Sequence, residues 1–416
     1  FFFKQKTAYE IRNCDWSSDV CSSDLFIYFI TNAIVAVGVA ASGYIPLCTR
    51  HPDATAAVSE TVAGDFAAWD GVWYRSILTN GYTYDPSRMS SVAFFPLYPV
   101  SVWIVRALTG IHVEYAMLLT SHLFLMAAML LFMKYVCVGR RNLAPQCRRF
   151  ALLSLALFPT TFYMRMSYTE SSFLFVSVLS MTAMLRGWSN LSIALLVGLM
   201  TSCRPVGVAM LFPFAWHIWT QDRHFGRFAK RAPGQLLLSC WGIAFYIIFQ
   251  WHAFGEPFAF VKTQAHWIEV QDEIPLWRVA VAHLTFEPVW QVYVPGCDCY
   301  WGEDPPSLPL VSLQFLNPLI MVGTWIAVAM GTYRKILTPH ETLFSFGLLA
   351  IPYFTHAYRC CAASEARYAS VVFPFYIVLG YSLSRIPRVV SMLVLSAFAI
   401  YLGIFTAMFV SWYWFY

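Results

Sequence analysis

The stretch of residues 114–137, EYAMLLTSHLFLMAAMLLFMKYVC, decides the fold class of this chain. A bilayer core about 30 Å thick needs roughly 20 apolar helical residues to cross it, and this stretch meets that length. Further stretches follow the same pattern: residues 26–47, 149–164, 170–187, 190–204, 205–220, 234–254, 309–332, 341–358, 367–384 and 389–412. The sequence therefore predicts an all-α polytopic membrane protein with about 11 transmembrane helices.

The composition agrees with that fold class. Of the 416 residues, 59% are hydrophobic and only 12% are charged, and the mean hydropathy is +0.57. A soluble domain is roughly 45–50% apolar. The net charge of +5 lies in short clusters between apolar stretches and forms no single basic face, so nucleic-acid binding has little support.

The N-terminal residues 1–25 differ from the rest of the chain. Residues 4–10 and 14–25 resemble the translation of a sequencing adapter, and they lack the apolar core of a signal peptide. We therefore expect residues 1–25 to be an artefact, and we place the transmembrane domain at residues 26–416.

The apolar stretch of residues 94–108 decides the topology. If it crossed the membrane, the basic cluster at 140–149 would share a side with the loop that carries Asp70, against the positive-inside rule. We therefore predict an interfacial helix at 94–108. The basic clusters then lie in the cytoplasm, and the loops 48–93 and 255–308 face the periplasm of a bacterium or the ER lumen of a eukaryote.

Cysteines in two external loops raise the question of a disulfide. Four of the 11 cysteines fall there: Cys297, Cys299, Cys360 and Cys361. An oxidising compartment permits a bridge between the loops, but spacing does not tell which sulfurs come within reach. A zinc site is less favoured, because Cys-x-Cys followed by two adjacent cysteines is not a usual structural-zinc spacing.

Polar clusters are expected to converge on the external face. They are Asp70, residues 165–170, Arg204-Pro205 and residues 365–368. A charge near a helix centre costs roughly 2.5–3.5 kcal/mol, so such charges tend to pair or to serve function. Simpler alternatives are an ion pair between Arg165 and Glu170 and an Arg204 that extends to the headgroups. Four clusters on one face favour a functional site.

These groups suit the transfer of a sugar from a lipid phosphate. A carboxylate takes the proton of an acceptor hydroxyl, arginines bind the leaving phosphate, and aromatic rings supply a stacking surface. A transporter or lipid flippase is the alternative from another class. It predicts binding residues near the midplane and inverted repeats, which this sequence does not display.

The order of the motifs resembles the PIG-V family of mannosyltransferases, which add the second mannose in GPI-anchor assembly, and its prokaryotic relatives in the GT-C class. The matching motifs lie between about residues 65 and 380. They are Trp69-Asp70-Gly71-Val72-Trp73-Tyr74, Gly81-Tyr82, Ala93-Phe94-Phe95-Pro96-Leu97-Tyr98-Pro99, Leu157-Phe158-Pro159-Thr160, Ser167-Tyr168-Thr169-Glu170-Ser171, Cys203-Arg204-Pro205-Val206-Gly207, Phe254-Gly255-Glu256-Pro257 and Ala366-Arg367-Tyr368.

The resemblance implies a GT-C-type glycosyltransferase with external surface helices and a polyprenyl- or dolichyl-phosphate mannose donor. It implies that Asp70 is the catalytic base and that Glu170 is a second acidic site residue. Arg204, Arg367 and Tyr368 are the expected ligands of the donor phosphate. The expected substrate-binding residues are Trp69, Trp73, Tyr74, Phe95, Tyr98, Tyr168, Gln264 and His266.

The acceptor and any metal requirement stay open at this point. The acceptor is expected to be a glycan or a lipid, and Cys203 and the cysteine-rich loops depart from the family pattern. Asp65, Asp70 and Asp85 share a loop, but no ligand spacing singles out a cation. We therefore assign no metal site and leave a divalent cation as an alternative.

Overall fold

The computed structural model describes residues 18–44, 61–139, 143–267, 275–302 and 308–413. The regular structure in these ranges is helical, as the sequence predicts. The α-helices, in chain order, are α1 (Ser18–Ala41), α2 (Asp70–Asn80), α3 (Leu97–Thr109), α4 (Val113–Gly139), α5 (Pro145–Leu157), α6 (Glu170–Leu185), α7 (Asn190–Cys203), α8 (Leu211–Asp222), α9 (Phe225–Leu238), α10 (Trp241–Phe254), α11 (Ala259–Lys262), α12 (Leu276–Leu284), α13 (Glu287–Trp290), α14 (Leu313–Tyr333), α15 (Pro339–Pro352), α16 (Glu365–Ser370), α17 (Phe373–Leu383) and α18 (Arg388–Val410).

The core is built from helix pairs. Helix α4 packs on α6, α5 on α17, α1 on α18 and α7 on α10. The 27 residues of α4 rise about 40 Å at 1.5 Å per residue. Helix α6 is apolar on nearly all sides and almost entirely buried, as expected of a helix at the centre of a bundle. Its first residue, Glu170, is therefore inside the protein.

Helix length and composition identify a membrane protein. Among the described residues, α4, α14 and α18 are long and apolar enough to cross a membrane. Two bent pairs raise this number to five: Pro159–Arg165 with α6, and α9 with α10. Shorter apolar helices cover Leu25–Ala41, α3, α7 and α17. The prediction of about 11 spans is thus not confirmed and stays a prediction.

Prolines interrupt two of the predicted spans at the same end of the bundle. Helix α5 ends at Leu157 and α7 at Cys203, and the 3-10 segments Pro159–Arg165 and Pro205–Met210 follow them. A proline lacks the N–H that continues a helix and forces the preceding residue out of the α region. The predicted spans 149–164 and 205–220 are therefore not continuous α-helices, and the breaks lie beside the polar clusters.

Other predicted boundaries also change. Residues 234–254 divide between α9 and α10, which meet at an angle of 46°. The predicted span 341–358 is α15 followed by a π-helix at Tyr353–Ala357, and 367–384 divides between α16 and α17. The backbone of residues 18–24, inside the expected artefact, begins α1.

The predicted interfacial helix 94–108 corresponds to α3, which packs antiparallel to the first turns of α4. The Tyr98 hydroxyl donates to the Met117 carbonyl at 2.9 Å, and Gly110 ends α3 in the left-handed conformation. Helix α4 therefore starts at the end of the bundle where Asp70 lies. The placement of α3 in the interface stays a prediction.

Four arginines that follow helices lie at the opposite end of the bundle from Asp70. Helices α4, α6, α8, α14 and α17 run away from that end, and the residues that follow four of them include Arg186, Arg223, Arg334 and Arg385. This common location agrees with the charge argument that the sequence supplied. The assignment of that end to the cytoplasm stays a prediction.

Candidate active site

Asp70 is the first residue of α2, after a backbone reversal at Trp69. Trp69 has a φ of 58°, and its ring stacks on that of Trp412 at 5.3 Å between centroids. The Asp70 backbone N–H donates to the Tyr168 hydroxyl at 3.0 Å, and this hydroxyl donates to the Ala68 carbonyl at 3.2 Å. These contacts fix the direction in which α2 starts and attach it to the turn before α6.

Glu170 and Arg204 meet because two chain breaks face each other. The segment Pro159–Arg165 makes an angle of 98° with α6, which leaves Glu170 at a helix start in the interior. Arg204 precedes Pro205 and is extended, with φ −153° and ψ 146°. Its Nη1 donates to Glu170 Oε1 at 2.6 Å. The ion pair therefore joins the start of α6 to the residue after α7, where Pro205 ends the helix.

Arg367 joins the two carboxylates of the cluster. Its Nη1 donates to Asp70 Oδ2 at 2.5 Å, and its Nε donates to Glu170 Oε1. Its guanidinium lies over the Tyr168 ring at 4.5 Å from the centroid, a cation–π contact. The guanidinium of Arg204 lies over the Tyr368 ring at 5.0 Å. Residues far apart in sequence thus form one cluster.

The four charged side chains differ in exposure. The exposed fraction is 31% for Asp70, 12% for Arg367, 10% for Arg204 and zero for Glu170. Asp70 is thus the carboxylate that a molecule arriving from outside reaches first. Glu170 lies behind both arginines and orients them.

The cluster keeps donors for an anionic ligand. Each guanidinium carries five N–H donors. Among the described residues, Arg367 uses two of its nitrogens and Arg204 one. The formal charges of the two arginines and two carboxylates cancel. A phosphate can therefore bind to the remaining donors, and its charge would compete with the carboxylates for the arginines.

The predicted aromatic residues fall into two groups. Tyr168 and Tyr368 contact the charged cluster as described above, and Trp69 precedes Asp70 and stacks on Trp412. Trp73, Tyr74, Phe95 and Tyr98 form packing contacts beside it: Tyr74 meets Tyr98 at 5.1 Å, and Phe95 meets Tyr246 at 4.8 Å between centroids. Phe95 and Tyr98 are buried, at 2% and 0% exposure, so they support the site from behind. Substrate contact by these residues stays a prediction.

Gln264 and His266 lie in the 3-10 segment Thr263–Trp267, which follows α11. The His266 Nε2 lies 3.0 Å from the Pro86 carbonyl oxygen, and Gln264 Nε2 donates to the Phe260 carbonyl at 3.4 Å. Trp267, the next residue, packs against Trp73 at 5.7 Å between centroids. These contacts hold this 3-10 segment against the segment that carries Asp70. Glu269, Asp272 and Glu273, which follow in the sequence, fall outside the described residues.

The ion pair between Arg165 and Glu170, an alternative that the sequence left open, does not form. Arg165 is fully buried and donates to neutral oxygens: Asn32 Oδ1 at 3.1 Å, Thr31 Oγ1 at 2.9 Å and the Ala156 carbonyl at 2.9 Å. It joins α1 to the Pro159–Arg165 segment. Glu170 pairs with the other two arginines instead.

Three features of the site escaped the sequence analysis. Tyr163 lies beneath the Arg367 guanidinium at 5.5 Å, and Trp412 covers Trp69. Glu114 is fully buried and accepts hydrogen bonds from Arg75 of α2 and from Thr61, both at 2.7 Å. The sequence did contain a signal for the Glu114 contact, because Glu114 is a carboxylate at the start of the predicted span 114–137.

The disulfide that the sequence left open joins Cys299 to Cys361. It connects the loop after α13 to the segment before α16. Glu365, at the start of α16, is fully buried, and both of its carboxyl oxygens are without a hydrogen-bond partner among the described residues. Burial raises the pKa of this carboxyl to about 8.

Among the described residues, no group of three or more His, Cys, Asp or Glu side chains could hold a metal ion. Asp85, one of the three loop aspartates, accepts from the Ser87 hydroxyl at 2.6 Å, and this bond lowers the pKa of Asp85. It also pairs with Arg88 at 2.8 Å. A divalent cation stays an untested alternative.

Comparison with known proteins gives a weak structural likeness. No family model and no curated protein matches the chain. Solved structures of the oligosaccharyltransferase of Archaeoglobus fulgidus are similar: the apo form has a TM-score of 0.44 at 13% identity over 94% of this chain and 56% of that chain. A complex of the enzyme with an inhibitory peptide and a dolichol-phosphate has a TM-score of 0.43 at 13% identity, over 96% and 56%.

The chain spans about half the length of those oligosaccharyltransferase chains. At these TM-scores the likeness carries no functional argument. Membership of the PIG-V family stays a prediction from the motifs, and the function has to be argued from the site itself.

Proposed function

We propose that this protein is a GT-C-type glycosyltransferase that transfers mannose or a similar hexose from a polyprenyl- or dolichyl-phosphate donor. The acceptor is a glycan or lipid at the external face of the membrane. One observation carries the proposal: Arg367 bridges the exposed Asp70 and the buried Glu170, and Arg204 pairs with the same Glu170. Two arginines thus lie beside one accessible carboxylate.

In the proposed reaction, the arginines bind the donor phosphate and Asp70 accepts a proton. The acceptor oxygen forms a bond to the anomeric carbon, and the bond from that carbon to the phosphate oxygen breaks. The acceptor proton moves to the Asp70 carboxylate, a general-base step. The lipid phosphate leaves with the electron pair, and Arg204 and Arg367 stabilise its additional negative charge.

Donor binding also has a consequence for the base. In the ligand-free cluster, the Arg367 Nη1 binds Asp70 Oδ2. A phosphate that takes this donor releases the carboxylate, which is then free to accept a hydrogen bond from an acceptor hydroxyl. The donor therefore binds first, and the acceptor is deprotonated afterwards. Glu170, with no exposed surface, acts as the residue that positions both arginines.

The test is Asp70→Asn, which keeps the size of the side chain and removes its basicity. Transfer from labelled polyprenyl-phosphate mannose in a membrane assay should fall by about 10²–10⁴-fold, the usual contribution of a general base. The amount of folded protein should not change. Asp85→Asn is the matched control, because Asp85 lies in the same loop and bonds to Ser87 and Arg88. Full activity of Asp70→Asn would contradict the proposal.

A transporter or flippase predicts a different result with the same purified protein. Reconstituted into vesicles with the labelled donor and a glycolipid acceptor mixture, a glycosyltransferase forms a new labelled product. A transporter moves the label between compartments or leaflets with no change in the labelled molecule. Movement of unchanged donor without any product would favour the transporter.

A further inference from the structure

The segment that leads into α16 is in an unfavourable conformation. Cys361, Ala362 and Ser364 have φ values of 54°, 53° and 62°, in the left-handed region that non-glycine residues rarely adopt. The next residue, Glu365, buries a carboxyl whose oxygens have no hydrogen-bond partner within the described parts of the chain. Each feature costs free energy, and such features persist only where surrounding contacts hold them.

Two contacts, one from the loop after α13 and one from α12, hold this segment. The disulfide attaches Cys361 to Cys299, in the loop after α13. Upstream, the π-helix at Tyr353–Ala357 is attached to α12: the Tyr353 hydroxyl donates to the His283 carbonyl at 2.8 Å, and the His283 Nε2 lies 2.8 Å from the Tyr353 carbonyl oxygen. The disulfide is the covalent contact of the two, and it bonds the first left-handed residue directly.

The held segment delivers Arg367 to the site. Arg367 lies two residues after Glu365, within the six-residue helix α16. A helix of this length has little stability of its own, so its position depends on its packing against α14 and α15 and on what is attached to its ends. A shift at residues 361–365 would therefore move the guanidinium that bridges Asp70 and Glu170.

We propose that the Cys299–Cys361 disulfide is a positioning crosslink for the donor-binding arginine, Arg367. It holds the left-handed segment in place and thereby sets the distance between Arg367 and the two carboxylates. The kinetic part of this proposal rests on the proposed glycosyltransferase function. The conformational part, that the bond holds residues 361–370, does not.

The first experiment reduces the disulfide in the folded, full-length protein. Purified protein in detergent is treated with a phosphine reductant, and mass spectrometry confirms the loss of the bond. Hydrogen–deuterium exchange should then rise at residues 361–370 while α4 and α6 are unchanged. The KM for polyprenyl-phosphate mannose should rise about tenfold, the effect of weakening one charge-assisted hydrogen bond. The kcat should change less, and reoxidation should restore the KM.

The second experiment uses variants. The double variant Cys299→Ser, Cys361→Ser should reproduce the raised donor KM, and reductant should have no further effect on it. Cys297→Ser is the control, because Cys297 is a free cysteine of the same loop. It should match the wild-type protein in KM and in exchange.

The outcomes separate this proposal from the proposed function. Confirmed reduction with unchanged exchange at 361–370 overturns the positioning role. Increased exchange with an unchanged donor KM, or an equal loss in Cys297→Ser, overturns it as well. A protein that shows no transfer activity in any form, but increased exchange on reduction, contradicts the glycosyltransferase function and supports the crosslink.

Discussion

Three largely buried arginines differ in the atoms that surround them, and their roles differ accordingly. Arg165 donates to neutral oxygens of Asn32, Thr31 and Ala156, whereas Arg204 and Arg367 contact the carboxylate of Glu170. Neutral partners satisfy the donors of Arg165 without placing them at the site. We therefore assign Arg165 to the stability of the fold and the other two to the donor phosphate.

For these residues we predict different effects: Arg165→Leu lowers stability, and Arg204→Leu weakens donor binding. Arg165→Leu leaves buried oxygens without donors and should cost about 2–4 kcal/mol of unfolding free energy. The donor KM of its folded fraction should be normal. Arg204→Leu should raise the donor KM by about tenfold or more.

Thermal denaturation in detergent and donor titration, both applied to each variant, measure the two effects. An Arg165→Leu protein with wild-type thermal stability, or an Arg204→Leu protein with a wild-type donor KM, would contradict this division of roles.

Helices α7 and α10 lie close to each other at two glycines, Gly198 and Gly242. A Cβ added to Gly242 would lie 2.1 Å from the Gly198 carbonyl oxygen and 2.6 Å from the Ser202 backbone nitrogen. These are backbone atoms, so the helices would have to separate to admit a side chain. Arg204 directly follows the last residue of α7, so the packing of α7 on α10 helps to set the position of that arginine.

Gly242→Ala should therefore lower the unfolding free energy by about 1–3 kcal/mol, the usual cost of overpacking. Gly234→Ala, in α9, is the control, because a Cβ there meets nothing within 4 Å. Alanine in that helix should stabilise by about 0.5–1 kcal/mol. Thermal denaturation checks the signs, and destabilisation of equal size in both variants would show that the helix contact is not the cause.

At the scale of the whole molecule, the site joins parts of the chain that are far apart. Asp70, Glu170, Arg204 and Arg367 come from the starts or ends of four helices, and all lie at the end of the bundle remote from Arg186, Arg223, Arg334 and Arg385. The helix breaks at Pro159 and Pro205 lie at this end, while the continuous helices α4 and α18 extend through the bundle. Polar chemistry is thereby confined to one side of a protein that is otherwise apolar.

The stability of the molecule should depend on pH through Glu365. Burial raises the pKa of this carboxyl to about 8 from an ordinary 4.5, so the folded protein binds the proton more tightly than the unfolded chain. The contribution of Glu365 to stability is then most favourable below about pH 4.5 and becomes less favourable as the pH rises towards about pH 8. Glu365→Gln removes this dependence.

We therefore expect Glu365→Gln to be more thermally stable than the wild type near pH 8, with a difference that shrinks towards pH 5. Glu256→Gln is the control of opposite sign, because the bond from Lys262 holds the pKa of the exposed Glu256 carboxyl below its usual value. If the thermal stability of the wild type and of Glu365→Gln changed with pH in parallel, the raised pKa of Glu365 would be refuted.

The sequence by itself determined the local features of this protein. Apolar stretches predicted the helices, since length and hydropathy decide whether a segment can cross a membrane. Pro205 determines the extended backbone of Arg204, because proline constrains the residue before it. The polar residues Asp70, Glu170, Arg204 and Arg367 could each be selected as candidates, because charges are rare in apolar chains.

Only the tertiary structure decided which of these groups meet. Residue spacing describes contacts within one helix. Arg367 and Glu170 are 197 positions apart, so their contact depends on how α16 and α6 pack. The same holds for the disulfide, where packing selects Cys299 and Cys361 among the four cysteines of two loops. It also holds for Phe95 and Tyr98, whose burial depends on neighbouring helices. Side-chain chemistry is local, whereas proximity is a property of the packed bundle.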